Sequence, residues 1–384
     1  MASVKVHIAP NILEWILQQT QNVKLTDKAA GYLQAWANGE KEPTFSQIEQ
    51  VSKNTGIPLG YFFLKEPPKE DLSIIEYRTV DSIELEQPSR NLIDTLYDMK
   101  QVQNWMRDTI LSDDDAPLNF VGSLKNESSA KEFANKVRGI LELEQNWYER
   151  VKKVEDSFKY LREKISSSGV IVMMNGVVRS NTHRVLSIDE FRAFTLIDDY
   201  APLIFINSCD SDNGKVFSLA HEFAHICIGE NSLFNAQEGS GNFVNRKETL
   251  CNAVAAELLV PQEAFCELWE SQISDDWERI VENLAKKFKC STTVIARRAY
   301  DNDFIELEQY RHVAEKAKRF SKKKEKNGSG GDYYRTVGAK IDHHFLEALA
   351  NSVKGGKTAP TEAFQLTNTN YATFTNLVNK VLEG

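Results

Sequence analysis

Lys215-Val216-Phe217-Ser218-Leu219-Ala220-His221-Glu222-Phe223-Ala224-His225-Ile226-Cys227-Ile228-Gly229 decides how this chain reads. Lys215 to Ile228 is an apolar, helix-like run, and Gly229 stops it. Two histidines four apart on a helix lie one turn apart on the same face, so both imidazoles can reach a single zinc ion. Glu222, directly after the first histidine, can lie beside a water held by that metal. The spacing predicts a metal-dependent hydrolase, most often a peptidase. A buried helix with two satisfied histidines is the plainer alternative. It does not explain a carboxylate inside an apolar run, where a buried charge needs partners.

A catalytic zinc takes three protein ligands and keeps one position for water. The next helix-like segment, Lys247 to Leu259, ends before Pro261 and offers Glu248 as the third ligand. Asn252, four residues on and on the same face, can hydrogen-bond a ligating side chain from behind. Glu257 competes, but nine residues from Glu248 it faces roughly the opposite side of the helix. Upstream, Val170 to Met174, Phe191 to Ile197 and Leu203 to Ile206 read as strands, the last two joined by a turn at Asp198-Asp199-Tyr200-Ala201-Pro202. A small sheet beside the histidine helix gives a peptide a place to bind as an added strand. The sequence does not say which strand is the edge.

Phe191 to Pro261 resembles the ImmA/IrrE family of metallopeptidases. The match rests on Phe191-Arg192-Ala193-Phe194, Ala201-Pro202-Leu203-Ile204-Phe205-Ile206-Asn207, Phe217-Ser218-Leu219-Ala220 leading into the histidine motif, Glu248 through Asn252, and Ala255-Ala256-Glu257-Leu258-Leu259-Val260-Pro261. The resemblance implies that His221, His225 and Glu248 bind one catalytic zinc and that Glu222 is the general base. It implies a zincin-like, gluzincin-type core. A second oxyanion donor is usual in such chemistry; His183, Arg192 and Tyr200 lie in the same region, and the sequence does not choose among them.

The N-terminal segment is a separate unit. Pro10 to Gln19 reads as a helix, and Leu33, Trp36, Ile48 and Val51 read as core between turns at Asn38-Gly39 and Gly56-Ile57-Pro58. Trp36 to Thr44 resembles the later part of a Cro/repressor-type helix-turn-helix domain. The continuation through Ile48, Ile57-Pro58 and Phe62-Phe63-Leu64 resembles versions fused to ImmA/IrrE peptidases. Yet residues 1–70 hold seven lysines against seven acids, and the first arginine is Arg78. DNA readers neutralise phosphates and favour arginine contacts to bases, so this charge supports DNA binding only weakly. A regulatory or partner-docking role competes with it.

The expected fold is α+β and mostly helical. It has a helix-turn-helix-like domain over 1–69, a helical connecting region over 70–167 and the metallopeptidase domain with its small sheet over 168–312. A basic segment with a Gly/Ser linker follows over 313–331, then a small C-terminal helical domain over 332–384. In the connecting region, Leu92 to Ile110, Ala130 to Leu141 and Trp147 to Ile165 show helical spacing, with a polar loop over Ser112 to Ser129. Ile280 to Ala299 reads as two helices that pack rather than read DNA. The net charge of −9 and 41% hydrophobic content fit a globular enzyme. No run approaches the ~20 apolar residues a membrane helix needs. Five scattered cysteines fit neither a disulfide framework nor a zinc knuckle, and with an N-terminus that lacks an apolar signal core they point to a reducing cytoplasm.

Two functions follow as expectations. One, which the family resemblance implies, is a zinc endopeptidase that cuts a regulatory protein, of repressor or antitoxin type, in stress responses or mobile-element defence. The other is a DNA- or protein-binding regulator whose metal site is structural or conditionally active.

Overall fold

The computed structural model describes residues 5–20, 25–68, 88–234, 246–272, 276–324 and 337–382. The Asn327–Gly331 linker and the Gly331–Thr336 stretch lie outside the described residues. The chain separates into two compact units, Met1–Asp98 with Gly176–Leu186, and Met99–Asn175 with Ser187–Gly384.

The first unit contains α1 (Pro10–Thr20), α2 (Asp27–Ala37), α3 (Phe45–Thr55), a 3-10 turn at Leu59–Phe63 and the first half of α4 (Arg90–Ser112). Ile12, Ile16, Leu33, Trp36, Ile48, Val51, Ile57 and Phe62 form its core, including the four residues expected from spacing. Thr44 and Gln47 form a reciprocal capping box that starts α3. Gly56 ends it at φ 75°, where the Arg184 guanidinium occupies the space a Cβ would take. Arg184 in turn donates to Asp94, Asn91 and the Arg90 carbonyl.

The second unit holds the rest: α5 (Ala130–Ile140), α6 (Val154–Ser167), β1 (Ile171–Asn175), β2 (Ala193–Leu196), β3 (Leu203–Asn207), α7 (Asp212–Ile228), β4 (Ser232–Phe234) and α8 (Arg246–Leu259). They are followed by α9 (Gln262–Glu270), α10 (Trp277–Phe288), α11 (Thr292–Asp301), α12 (Leu307–Lys324), α13 (His343–Lys354), α14 (Pro360–Thr367) and α15 (Tyr371–Leu382). The protein is thus mostly helical with one small mixed sheet, as expected. Trp147 to Ile165 is not one helix: Trp147–Glu149 is a 3-10 turn, and α6 starts afresh where the Lys153 N–H donates to Asp156 at 3.3 Å. Among the described residues, no helix is long and apolar enough to cross a membrane.

The strand order is β1-β3-β2-β4, with β1 parallel to β3 and the other pairs antiparallel. Side chains alternate across a sheet. Val172, Ala193, Ile204 and Ile206 enter the core shared with Val216, Leu219, Ala220 and Phe223 of α7. Phe194 and Phe205, on the opposite face, stack at 5.0 Å. The turn after β2 closes through Asp198, which accepts from Tyr200 N and Ala201 N at 3.0 Å each. The outer edge of β1 is occupied: Met174 N donates to Lys340 O at 2.9 Å, and Val172 N donates to the Asp342 carboxylate at 3.1 Å. Among the described residues, nothing pairs with the outer edge of β4.

Candidate metal centre and active site

Helix α7 begins where Ser211 caps it by accepting from Gly214 N at 3.1 Å. It ends at Gly229, in the left-handed region at φ 81°, whose N–H returns to the His225 carbonyl at 2.9 Å. Its last carbonyls are met by the 113–129 loop: Gly122 N donates to Ile226 O at 3.0 Å and Leu124 N to Cys227 O at 2.8 Å. The helix is buried from Ser218 to Ile228, with His221 and Glu222 at 0% exposure and His225 at 3%.

Helix α8 packs along α7. Its buried stripe of Cys251, Val254, Ala255 and Leu258 sets the face turned inward, and Glu248, one turn before Cys251, extends that face. The other end of α8 is capped by side chains. Arg138 donates to Glu257 O, Trp147 Nε1 to Leu258 O at 3.0 Å, and Arg298 Nε to Val260 O at 3.1 Å. Cations at a helix C-terminus are favoured by its dipole.

The two helices bring three groups to one point. His221 Nε2 and His225 Nε2 stand 3.1 Å apart. Glu248 turns one oxygen to each ring, Oε2 to His221 at 3.2 Å and Oε1 to His225 at 3.2 Å. This cluster could hold a metal ion. Tetrahedral zinc with bonds near 2.1 Å separates neighbouring ligand atoms by about 3.4 Å, so the three groups, at 3.1–3.2 Å, would open by only a few tenths of an ångström to hold a small divalent cation.

The electrostatics agree. Burial pushes the Glu248 carboxyl up, but hydrogen bonds and charge from His221 and His225 override it and hold Glu248 well below the usual carboxylate range. Burial pulls His225 down, while Cys251 and then Glu248 beside it raise it well above the usual histidine range. Burial also pushes the Cys251 thiol up, against the pull of His225 beside it. The Cys227 and Cys290 thiols are pushed up by burial as well, which makes both inert packing residues.

Glu222 is held by the sheet. Its Oε2 accepts from the Thr195 hydroxyl on β2 and the Ser232 hydroxyl on β4, while its Oε1 is buried without a partner. Phe234, two residues along β4 from Ser232, lies over His221 with ring centroids 4.2 Å apart. Sequence reading missed Thr195, Ser232 and Phe234. A hydroxyl inside the otherwise apolar Ala193-Phe194-Thr195-Leu196 strand was the available signal; three-residue β4 carries none.

Other candidates fall elsewhere. Glu257 is committed to Arg298 and accepts from Gln262 N at 3.2 Å, which removes it from competition with Glu248. Asn252 is exposed, and among the described residues it makes no hydrogen bond to the three clustered groups. Arg192 donates from Nη1 to both carboxylate oxygens of Asp210, each at 2.9 Å. Tyr200 is half-buried in the turn after β2, and His183 is exposed in the first unit.

Residues 180–300 match the family model described as the IrrE N-terminal-like domain, of the M78 peptidases. That match supports the resemblance to the ImmA/IrrE family that the motifs around His221 implied. Residues 341–380 match a domain of unknown function, DUF8813. No curated protein and no solved structure matches the chain.

Proposed function

We propose that this protein is a zinc-dependent endopeptidase with a gluzincin-type site, in which His221, His225 and Glu248 hold one zinc and Glu222 is the general base. The observation that carries this reading is the pairing of two features. Three ligand atoms converge at 3.1–3.2 Å, and beside them stands a buried carboxylate with one oxygen anchored and the other without a partner. A structural metal site has no use for such a carboxylate. A zinc held by His221, His225 and Glu248 would supply a bound water with its pKa lowered from about 15.7 towards roughly 7 and would polarise a carbonyl. Glu222 takes the proton of the attacking water and delivers it to the leaving amine. The outer edge of β4 supports a substrate chain lying as an added strand, because the opposite edge of the sheet, at β1, is already covered.

The substrate in this reading is a regulatory protein of repressor or antitoxin type, and the helix-turn-helix-like N-terminal unit serves targeting or control. The near-neutral charge of residues 1–70 favours a protein contact over DNA for that unit. The test compares cells carrying the wild-type protein with cells carrying Glu222→Gln. One protein should accumulate only in the variant, while purified Glu222→Gln keeps one metal per chain. Continued cleavage by Glu222→Gln overturns the assignment of the base.

A further inference from the structure

Two hydroxyl side chains in a largely apolar sheet meet at one carboxylate oxygen. Thr195, 1% exposed, sits on β2 between Phe194 and Leu196, and Ser232 opens β4. In the β2–β4 ladder these two residues are directly opposite each other. Opposed residues of antiparallel strands project to the same face with Cβ atoms about 5 Å apart, close enough for both hydroxyls to reach the same atom. Both donate to Glu222 Oε2, and Thr195 Oγ1 also lies 3.3 Å from the Glu222 carbonyl. The register that produces this is fixed at both ends of β4. Ile197 N donates to Asn231 Oδ1 at 2.6 Å, and Arg192 N donates to Phe234 O at 2.8 Å.

We propose that Thr195 and Ser232 are positioning residues for Glu222: a cross-strand hydroxyl pair anchors Oε2, so that Oε1 alone is left to take a proton. This rests on the peptidase reading above. A glutamate has three side-chain torsions, and the last is soft and roughly two-fold. Unanchored, the carboxylate turns either oxygen forward and samples orientations that do no chemistry. Two donors on one oxygen remove that freedom at a cost the fold has already met, because both sit on hydrogen-bonded strands. A hydroxyl donating to a charged group is worth roughly tenfold in the population of the held orientation. A merely structural pair would instead lower metal retention or folding when removed, and leave turnover per metal-loaded molecule unchanged.

The experiment uses full-length Thr195→Val, Ser232→Ala and the double variant, with Thr195→Ser and Ser232→Thr as variants that keep a hydroxyl. Three quantities are read: metal per chain, the affinity of the cobalt(II)-loaded protein for acetohydroxamate from its visible absorption, and kcat and KM on the substrate trapped with Glu222→Gln. Acetohydroxamate is the probe because it gives its acidic proton to a carboxylate base. Metal should stay at one per chain throughout. Each hydroxyl deletion should lower kcat and acetohydroxamate affinity about tenfold, and the double variant about a hundredfold, with KM within about threefold. The hydroxyl-keeping variants should recover to within about threefold. If the double variant fails to hold metal, the single deletions carry the same comparison. Unchanged kcat and acetohydroxamate affinity in metal-loaded deletion variants overturn the proposal, as does a loss that neither hydroxyl-keeping variant restores. Cleavage by Glu222→Gln overturns the peptidase reading instead, so the two failures are distinct.

Discussion

Replacing Asp342 by Ala should detach the C-terminal helices from the peptidase unit. Asp342 is 1% exposed and serves three donors. Its Oδ1 caps α13 by accepting from Phe345 N at 3.0 Å; its Oδ2 accepts from Ser166 Oγ at 2.6 Å and Val172 N at 3.1 Å. Alanine leaves the Val172 amide on the sheet edge buried and unpartnered, which costs about 1–3 kcal/mol. Loss of the cap costs about 1 kcal/mol more. The Ser166 hydroxyl can turn back to its own helix, as Ser168 does to Ile165 O at 2.7 Å, so its loss is small. The sum is about 3 kcal/mol. Spread over local opening, that is about a hundredfold, at ~1.4 kcal/mol per decade. Hydrogen exchange read by mass spectrometry should therefore accelerate about a hundredfold in peptides covering α13 and β1. Trp105 reports independently: its Nε1 donates to Thr358 at 3.2 Å and its ring meets Phe345 edge-on at 5.5 Å, so its fluorescence should shift in a low-denaturant phase. Asp342→Asn keeps a capping oxygen and should lose less. Acceleration below about threefold, or confined to the first turn of α13, would refute the argument that this carboxylate ties the two regions together.

Arg298→Ala leaves the Glu257 carboxylate buried without its guanidinium, and urea unfolding should show a loss of about 3–5 kcal/mol with zinc stoichiometry unchanged; a loss below about 1 kcal/mol would show that the pair does not hold this end of α8. Gly229→Ala places a Cβ 2.9 Å from the Gly122 Cα at a backbone φ of 81°, so the thermal midpoint should fall with a destabilisation of about 1–3 kcal/mol, and an unchanged midpoint would show that the loop is not packed this way. Zinc affinity should rise from pH 6 to pH 8, because the raised His225 keeps its proton above the ordinary histidine range and zinc must displace it; a pH-independent affinity contradicts this. In the metal-free protein, the depressed Glu248 stabilises above its unfolded pKa of about 4.3, and that contribution is lost as pH falls through the folded value. The raised His225 stabilises below its unfolded value of about 6.5, and its contribution is lost as pH rises through the folded one, so the cluster helps metal-free folding most between about pH 4.5 and 6.5.

What the sequence disclosed and what it withheld follow from range. His221, Glu222 and His225 are local: their spacing fixes a helix face before any partner is known. Glu248 was legible because α8 carries its own periodic stripe, and Glu257 was placed on the other side by the same arithmetic. Its attachment to Arg298 was not, since that contact spans 41 residues. Thr195 and Ser232 illustrate the same limit more sharply. They are 37 positions apart in the chain, joined only through a strand register that three residues of β4 cannot announce. The stretch Ser112 to Ser129 reads as a polar loop, yet Leu124 is buried in the core with Phe120 and Val121 packed against it; that its amides at Gly122 and Leu124 close the end of α7 depends on a long-range approach of two glycines.

The sheet has two edges, and they are treated differently. An unpaired edge is a liability that proteins cover or use. At β1 the lead-in to α13 supplies Lys340 O and Asp342, and α6 adds Arg162, which donates to Val172 O at 2.7 Å and Ile341 O at 2.9 Å. At β4 the inward face instead carries Ser232 against Glu222 and Phe234 against His221. A chain pairing with β4 would lie next to the strand that orients the base and covers a ring of the metal cluster. Binding and chemistry then share one structural element: a displacement of β4 removes the Ser232 anchor from Glu222 Oε2 and the Phe234 ring from His221 together, and leaves Thr195 of β2 as the remaining donor.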